Sequence, residues 1–143
     1  MARELLARAL REQIARDGAL ELVALGSSME PTVPGGSALH IEPLSGTPAV
    51  DELIAFVPDC GVLLCCHRVV AIDDRGRVLT QGDRHRAPDG FARPDQLIGI
   101  VRSFELGGRA YAVSPQLPRP RPSKYRMQRE RFVCVLRRLR VAL

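Results

Sequence analysis

The stretch that decides the fold is residues 62–81, which read VLLCCHRVVAIDDRGRVLTQ. Its first eleven residues are apolar except for His67 and Arg68, and Asp73-Asp74-Arg75-Gly76 separates them from a second strand candidate, Val78 to Gln81. Two such runs joined by a short turn rich in aspartate and glycine predict a β-hairpin. Residues 62–72 are therefore the longest strand expected in the chain.

Outward from this hairpin, the same alternation of apolar runs and turns continues. Apolar residues at helical spacing predict a short helix over 3–16, which Gly18 ends. Further strands are expected at 19–25, 38–42, 53–57, 97–105 and 109–113, with loops at 43–49 and 82–95. Many short strands broken by glycine and proline predict a mostly β fold, a compact antiparallel domain folded back or partly closed on itself.

The C-terminal part differs in composition. Residues 1–113 are expected to form the domain, 114–123 a stiff proline-rich linker, and 124–143 a basic amphipathic helix. Residues 119–143 carry nine arginine or lysine residues and one glutamate, a charge of +8, so the net charge of +5 leaves −3 for residues 1–118. Such a tail can bind an anionic membrane surface, bind nucleic acid, or simply cover the domain.

Overall composition excludes several classes of protein. Apolar residues make up 45% and charged residues 26%, as in an ordinary soluble domain. No stretch approaches the roughly 20 apolar residues that span a bilayer, and Glu4, Glu12 and Asp17 interrupt any secretory signal. Aromatic residues are only 4%, so stacking on nucleic-acid bases is not expected. These features predict a soluble, cytoplasmic protein.

The spacing of the cysteines also favours the cytoplasm. Cys60, Cys65, Cys66 and Cys134 do not have the spacing of a disulfide framework, which favours a reducing environment. A metal site built from the first three with His67 is disfavoured because adjacent residues of a strand point to opposite faces. No metal and no cofactor is expected.

A nucleophile is suggested by Gly26-Ser27-Ser28-Met29-Glu30-Pro31-Thr32, which follows a predicted strand. Pro31 constrains the turn that presents the Ser28 hydroxyl, although such turns are common without chemistry. A serine hydroxyl needs a neighbouring base, and His67 on its apolar strand is the candidate. The single lysine, Lys124, lies in the tail.

The other histidines are weaker candidates, and the carboxylate that would orient His67 is left open. His40 has no companion motif, and His85 lies among arginines in a loop expected to be solvated. The loop over 81–89 offers both Asp83 and Asp89, and either could instead cap a turn.

Taken together, these motifs resemble those of the signal peptidase family, which shares its fold with the LexA-type self-cleaving repressors. The resemblance covers residues 22–103 and rests on segments in the family's order: 26–32, 51–56, 67–70 and Gly82-Asp83 with Asp89. Most bacterial members have lysine where this chain has His67, so it is similar to the endoplasmic-reticulum and archaeal branch. The resemblance implies Ser28 as nucleophile, His67 as general base and Asp89 as orienting carboxylate, with Asp83 either structural or second in line for that catalytic role. It also implies a groove where an extended substrate adds as a strand.

The chain departs from the family pattern in four respects. Gly35-Gly36 and Val50-Asp51 stand where relatives usually have Gly-Asp pairs, and no membrane anchor is recognisable. Gly26 stands where some relatives place an oxyanion-binding serine, so Ser27 or backbone N–H groups must serve. Gly26, Ser27 and Met29 are the residues expected to contact the substrate or its oxyanion.

The resulting expectation is a serine endopeptidase that cleaves leader or signal-like segments of precursor peptides, with the tail docking on the inner membrane face. One alternative is a LexA-like regulator that cuts itself, although the N-terminal helix is too short for a DNA-binding domain. Another is a catalytically idle domain whose basic tail binds membrane or nucleic acid. Nucleic acid is the least favoured partner of the tail.

Overall fold

One helix and nine strands are present in the computed structural model, which describes residues 2–60, 63–113 and 134–136. A 3-10 turn at Pro94–Gln96 precedes the longest strand. The elements are α1 (Ala2–Asp17), β1 (Leu20–Ala24), β2 (Ala38–Glu42), β3 (Leu53–Phe56), β4 (Cys65–Ile72), β5 (Val78–Gln81), β6 (Gly90–Ala92), β7 (Leu97–Leu106), β8 (Arg109–Ala112) and β9 (Cys134–Leu136). The predicted mostly β class with an N-terminal helix is confirmed.

All strand pairings in the sheet are antiparallel. The strand order is β6-β5-β4-β3-β7-β2-β1-β9, and β8 pairs with β7. The predicted hairpin is β4–β5, in which Ile72 lies opposite Val78. Its turn is closed by the Asp73 carboxylate, which accepts hydrogen bonds from the backbone N–H groups of Arg75 and Arg77. Gly76 has a φ of +76°, which is why glycine suits this position.

Three irregularities in register bend this sheet. They occur in β2–β7 at His40/Ile41, in β3–β7 at Ala55/Phe56 and in β4–β5 between Val69 and Ala71. A bulge adds a bend and extra twist to the strand that carries it. Although four strands separate β1 from β5 in the sheet order, the loop after β5 returns to the turn after β1. This curvature brings the two loops of the candidate site together.

The helix covers one face of the sheet. Ala7, Leu10 and Ile14 are buried and belong to the same core as residues of β1, β2, β3 and β7. Their spacing of three and four residues places them on one face of the helix. Arg11 fastens the helix to the start of β7, since its guanidinium donates to the carbonyl oxygens of Asp95 and Leu97. Among the described residues, no helix has the length and apolar character needed to cross a membrane.

Two strands lie where the sequence predicts something else. β6 falls inside the predicted loop 82–95 and pairs with β5, so this loop is shorter than expected. β9 falls inside the predicted helix 124–143, and for residues 134–136 that prediction is wrong. These residues complete the exposed edge of β1, whose backbone groups would otherwise lack strand partners. The predicted linker 114–123 and the rest of the predicted helix lie outside the described residues.

Candidate active site

Ser28 lies in a tight loop that leaves β1 and returns to β2. Two hydrogen bonds close the base of this loop: the N–H of Ala24 donates to Ser37 O at 2.9 Å, and that of Gly36 donates to Ala24 O at 2.6 Å. Inside it, the N–H of Glu30 donates to Ser27 O at 3.0 Å. The nucleophile candidate is therefore held on a short, internally bonded turn, as the motif predicts.

The loop after β5 packs directly against the carbonyl of Ser28. The N–H of Arg84 donates to Ser28 O at 2.9 Å, and a Cβ on Gly82 would lie 2.8 Å from that same oxygen. Real Cβ atoms are not found so close to backbone oxygen. Gly82 is therefore required for the approach of the two loops.

His67 projects from β4 and meets Ser28. Its Nε2 lies 3.0 Å from the Ser28 Oγ, although 39 residues separate the two in sequence. The other ring nitrogen, Nδ1, is hydrogen-bonded to Oδ2 of Asp89. The three side chains form one continuous series of hydrogen bonds. This is the arrangement in which an imidazole can take the proton of a serine hydroxyl while a carboxylate stabilises the resulting imidazolium.

Asp89 is held ionised by its neighbours. Burial alone raises the pKa of this carboxyl, but hydrogen bonds from His67, His85 and Thr80 outweigh burial and lower the pKa to about 2. The Thr80 hydroxyl on β5 donates to Oδ2 at 2.9 Å. An ionised carboxylate only accepts hydrogen bonds, so it keeps the His67 proton on Nδ1 and leaves Nε2 as an acceptor for Ser28.

The hydroxyl of Ser28 and the imidazole of His67 lie out of bulk water. Ser28 is 1% exposed and His67 is 3% exposed, whereas the Asp89 side chain is 29% exposed. Hydrogen bonds and charges act more strongly where water is excluded. The hydroxyl proton therefore has a direct acceptor in Nε2 rather than a competing water.

The structure brings Asp83, the other carboxylate candidate, to Arg68 instead of His67. Arg68 binds it at two points, Nε to Oδ1 and Nη2 to Oδ2, both at 2.7 Å. The Thr32 hydroxyl also donates to Asp83, and the Arg68 Nη1 donates to Asp51 O at 2.7 Å. The hydrogen bonds that Arg68 donates to Asp83 raise the pKa of Arg68 above its ordinary value. Since His67 and Arg68 are consecutive on β4, they point to opposite faces and reach different carboxylates.

The residues expected at the oxyanion site separate into two groups. Gly26 and Ser27 are half-buried beside Ser28. Met29, by contrast, is fully buried in the core and its sulfur accepts a hydrogen bond from the N–H of Asp83 at 3.4 Å. Its side chain is thus a packing residue, and a substrate contact by that side chain is not supported. Within the described residues, the N–H of Ser28 donates to no other group.

Sequence reasoning missed several residues of this site. His85 was expected to be solvated, and this is wrong: it is 4% exposed and packs edge-on against the His67 ring at a centroid distance of 5.4 Å. Thr80 carries no recognisable signal, and Thr32 is part of the serine motif without a role predicted for its hydroxyl. Arg68 does carry one, because an arginine within an apolar strand must find a carboxylate if it is buried.

Comparisons with known proteins add no relative to this description. No protein-family model, no curated protein and no solved structure matches the chain.

Proposed function

We propose that the chain is a serine endopeptidase of signal-peptidase-like fold that cleaves leader or signal-like segments of precursor peptides. The observation that carries the proposal is the hydrogen-bonded series Ser28–His67–Asp89, with 3.0 Å between Ser28 Oγ and His67 Nε2. The motifs of the sequence support it independently, because they nominate the same serine and histidine.

In the first step, the Ser28 Oγ attacks the carbonyl carbon of the scissile peptide bond while His67 Nε2 accepts the hydroxyl proton. The carbonyl oxygen becomes negative, and the N–H of Ser28 is the donor best placed to stabilise it, with Ser27 beside it. His67 becomes an imidazolium, which the ionised Asp89 stabilises through Nδ1.

In the second step, Nε2 returns its proton to the leaving amine nitrogen as the C–N bond breaks, and an ester to Ser28 remains. Water then gives a proton to Nε2 and attacks the ester carbon. The C–O bond breaks, the acid product leaves, and the proton returns from Nε2 to Ser28. No cofactor takes part in this cycle.

The substrate class and the location belong to the same proposal. An extended peptide with small side chains before the cleaved bond fits the resemblance. β1 leads into the nucleophile turn, and a peptide that replaces β9 beside β1 would aim a carbonyl at Ser28. We propose that the enzyme acts on a cytoplasmic precursor, with the basic tail at the inner membrane face.

The test is cleavage of a peptide library, read by mass spectrometry, with the full-length chain and with Ser28→Ala. Cleavage after small residues should occur with the wild-type chain and disappear in the variant. Ser103→Ala, on β7 and outside the site, is the matched control and should cleave like the wild type. A fluorophosphonate should label the wild-type chain on Ser28.

The same experiment separates the alternatives. A self-cleaving regulator would shorten its own chain during incubation and leave added peptides intact. An idle binding domain would cleave nothing and take up no fluorophosphonate. Equal cleavage by the wild type and Ser28→Ala would exclude Ser28 as the nucleophile.

A further inference from the structure

A second histidine, His85, lies against the Ser28–His67–Asp89 series and takes no proton in the steps above. The Nδ1 of His85 lies 3.6 Å from Oδ1 of Asp89, and its ring packs edge-on against His67. The N–H of His85 bonds to Gly82 O at 2.9 Å, and the Gln81 side chain donates to His85 O at 2.7 Å. Backbone bonds therefore hold this imidazole in place.

One of the two nitrogens of this imidazole has no hydrogen-bond partner among the described residues. His85 is 4% exposed. Among the buried side-chain nitrogen and oxygen atoms of the described residues, its Nε2 is the one that has no hydrogen-bond partner. Buried polar atoms are nearly always bonded, and an exception points to a ligand or a functional role.

The neighbouring donor atoms form a set that suits a metal ion. One donor atom each from His67, His85 and Asp89 lies within 4.8 Å of the others. Two imidazoles and one carboxylate are the protein ligands of many zinc sites that keep a fourth position for water. The 29% exposure of the Asp89 side chain provides the route by which an ion can enter.

We propose that His67, His85 and Asp89 bind a zinc ion that reversibly inhibits the peptidase. The site differs from the cysteine cluster considered from the sequence, and its inhibitory effect rests on the proposed function. The metal is an inhibitor and not a cofactor, because it uses the base that the reaction needs.

The inhibition follows from the protonation of one imidazole. As a base, neutral His67 carries its proton on Nδ1 and accepts the Ser28 proton at Nε2. Zinc bound through Nδ1 needs the lone pair of that nitrogen, so the single proton moves to Nε2. The Nε2 then cannot accept the Ser28 proton, and Asp89 is bound to the metal instead of to the Nδ1 proton.

Binding is tested first in the Ser28→Ala chain, so that the result does not depend on finding a substrate. Calorimetric titration with zinc should give one site, at least tenfold weakened in Ser28→Ala/His85→Ala and in Ser28→Ala/His85→Asn. His40→Ala in the same background is the matched control and should bind like its parent. Equal affinity with and without His85, in chains that circular dichroism shows to be folded, would overturn the site.

Cobalt distinguishes this site from a cysteine site. The Sγ of Cys65 lies 3.6 Å from His67 Nδ1 and is a possible competing ligand. The cobalt spectrum should lack the charge-transfer band of thiolate ligands. A strong thiolate band that persists in the His85 variants would place the metal on cysteine and overturn the proposal.

The inhibitory effect is measured on the wild-type chain. Zinc should suppress peptide cleavage and EDTA should restore it. With each chain's rate normalised to its own metal-free rate, the zinc concentration for half inhibition should be at least tenfold higher in His85→Ala than in the wild type. If the chain binds zinc but shows no peptidase activity under any condition, the zinc site is confirmed and the proposed function is refuted. Cleavage that saturating zinc does not slow would refute the inhibitory role.

Discussion

Arg68 and Asp83 form a buried ion pair with two parallel hydrogen bonds, each 2.7 Å long, one residue along β4 from the candidate base His67. The side chains of the pair are 3% and 8% exposed. Asp83 also accepts a hydrogen bond from Thr32 in the loop that carries Ser28, and Arg68 donates one to the Asp51 carbonyl before β3. The pair thus links β4 to three loops, those that contain Thr32, Asp51 and Asp83. We interpret it as the support that keeps the loops in register.

The first prediction concerns this ion pair. Asp83→Asn should destabilise the chain by roughly 3–5 kcal/mol, because it leaves the Arg68 guanidinium buried without its counter-charge. Urea denaturation measures this free energy of unfolding. The double variant Arg68→Met/Asp83→Leu should be less destabilised than Asp83→Asn, since neither charge then remains. If the loss of stability in the double variant equals the sum of the losses in Arg68→Met and Asp83→Leu, the two residues are not energetically coupled.

The second prediction separates Asp89 from Asp83 by rate. Asp89→Asn should lower kcat by about 10⁴-fold, since an amide can hold the wrong tautomer of His67 and cannot stabilise the imidazolium. The folded fraction of Asp83→Asn should retain far more activity. Peptide cleavage rates, normalised to folded protein, measure both. A larger loss of kcat in Asp83→Asn than in Asp89→Asn would reverse the assignment.

The third prediction concerns acid stability. The pKa of Asp89 is about 2 in the folded chain and 3.8 ordinarily, so its carboxylate favours the fold at any pH above 3.8. A shift of this size corresponds to about 2 kcal/mol, which is lost as the pH falls from about 4 towards 2. Wild type should therefore exceed Asp89→Asn in stability near neutrality. Urea titrations at several pH values should show the two curves converging near pH 2, and a constant difference would contradict the assigned pKa.

The fourth prediction concerns Gly82. In Gly82→Ala the new Cβ would meet the Ser28 carbonyl oxygen at 2.8 Å and His85 Nδ1 at 2.9 Å. The two loops should separate, which should lower the free energy of unfolding by about 1–3 kcal/mol. It should also lower kcat, because Ser28 moves relative to His67.

Gly99→Ala is the control for that variant. Its Cβ would meet Glu42 O at 2.5 Å and the Ile41 side chain at 2.6 Å, so it is at least as crowded but lies outside the site. It should unfold at lower urea concentration while the folded fraction keeps the wild-type kcat. If both variants lose kcat equally, the contact at Gly82 has no special role.

The fifth prediction concerns β9, which pairs with β1 such that Val135 lies opposite Val23. Val135→Pro removes a backbone donor and should break this pairing. Amides of β1 should then exchange faster with solvent. Cleavage of an extended peptide should increase several-fold, because the edge of β1 becomes open to strand addition.

Ala110→Pro is the matched variant on a different edge. It breaks the pairing of β8 with β7, at Glu105 opposite Ala110. It should leave both the β1 exchange rates and the peptide cleavage unchanged. Unchanged exchange in Val135→Pro would show that β9 does not protect β1.

The sequence predicts the strand positions well where the signal is local. β2 and β5 match their predicted bounds, and β3, β7 and β8 differ by one residue at one end. α1 and β1 differ by one residue at each end, and β4 begins three residues late. β6 is not predicted because Gly90–Ala92 is only three residues long and becomes a strand by pairing with β5.

The sequence by itself determined the fold class and nominated Ser28 and His67, because apolar runs, turn residues and the motif around Ser28 are local properties. Only the tertiary structure decided that Asp89 reaches His67 while Asp83 reaches Arg68. It also decided that Met29 and His85 are buried. The physical reason is that these outcomes depend on which faces of β4 meet which loops. A bent sheet sets that relation between residues far apart in the chain.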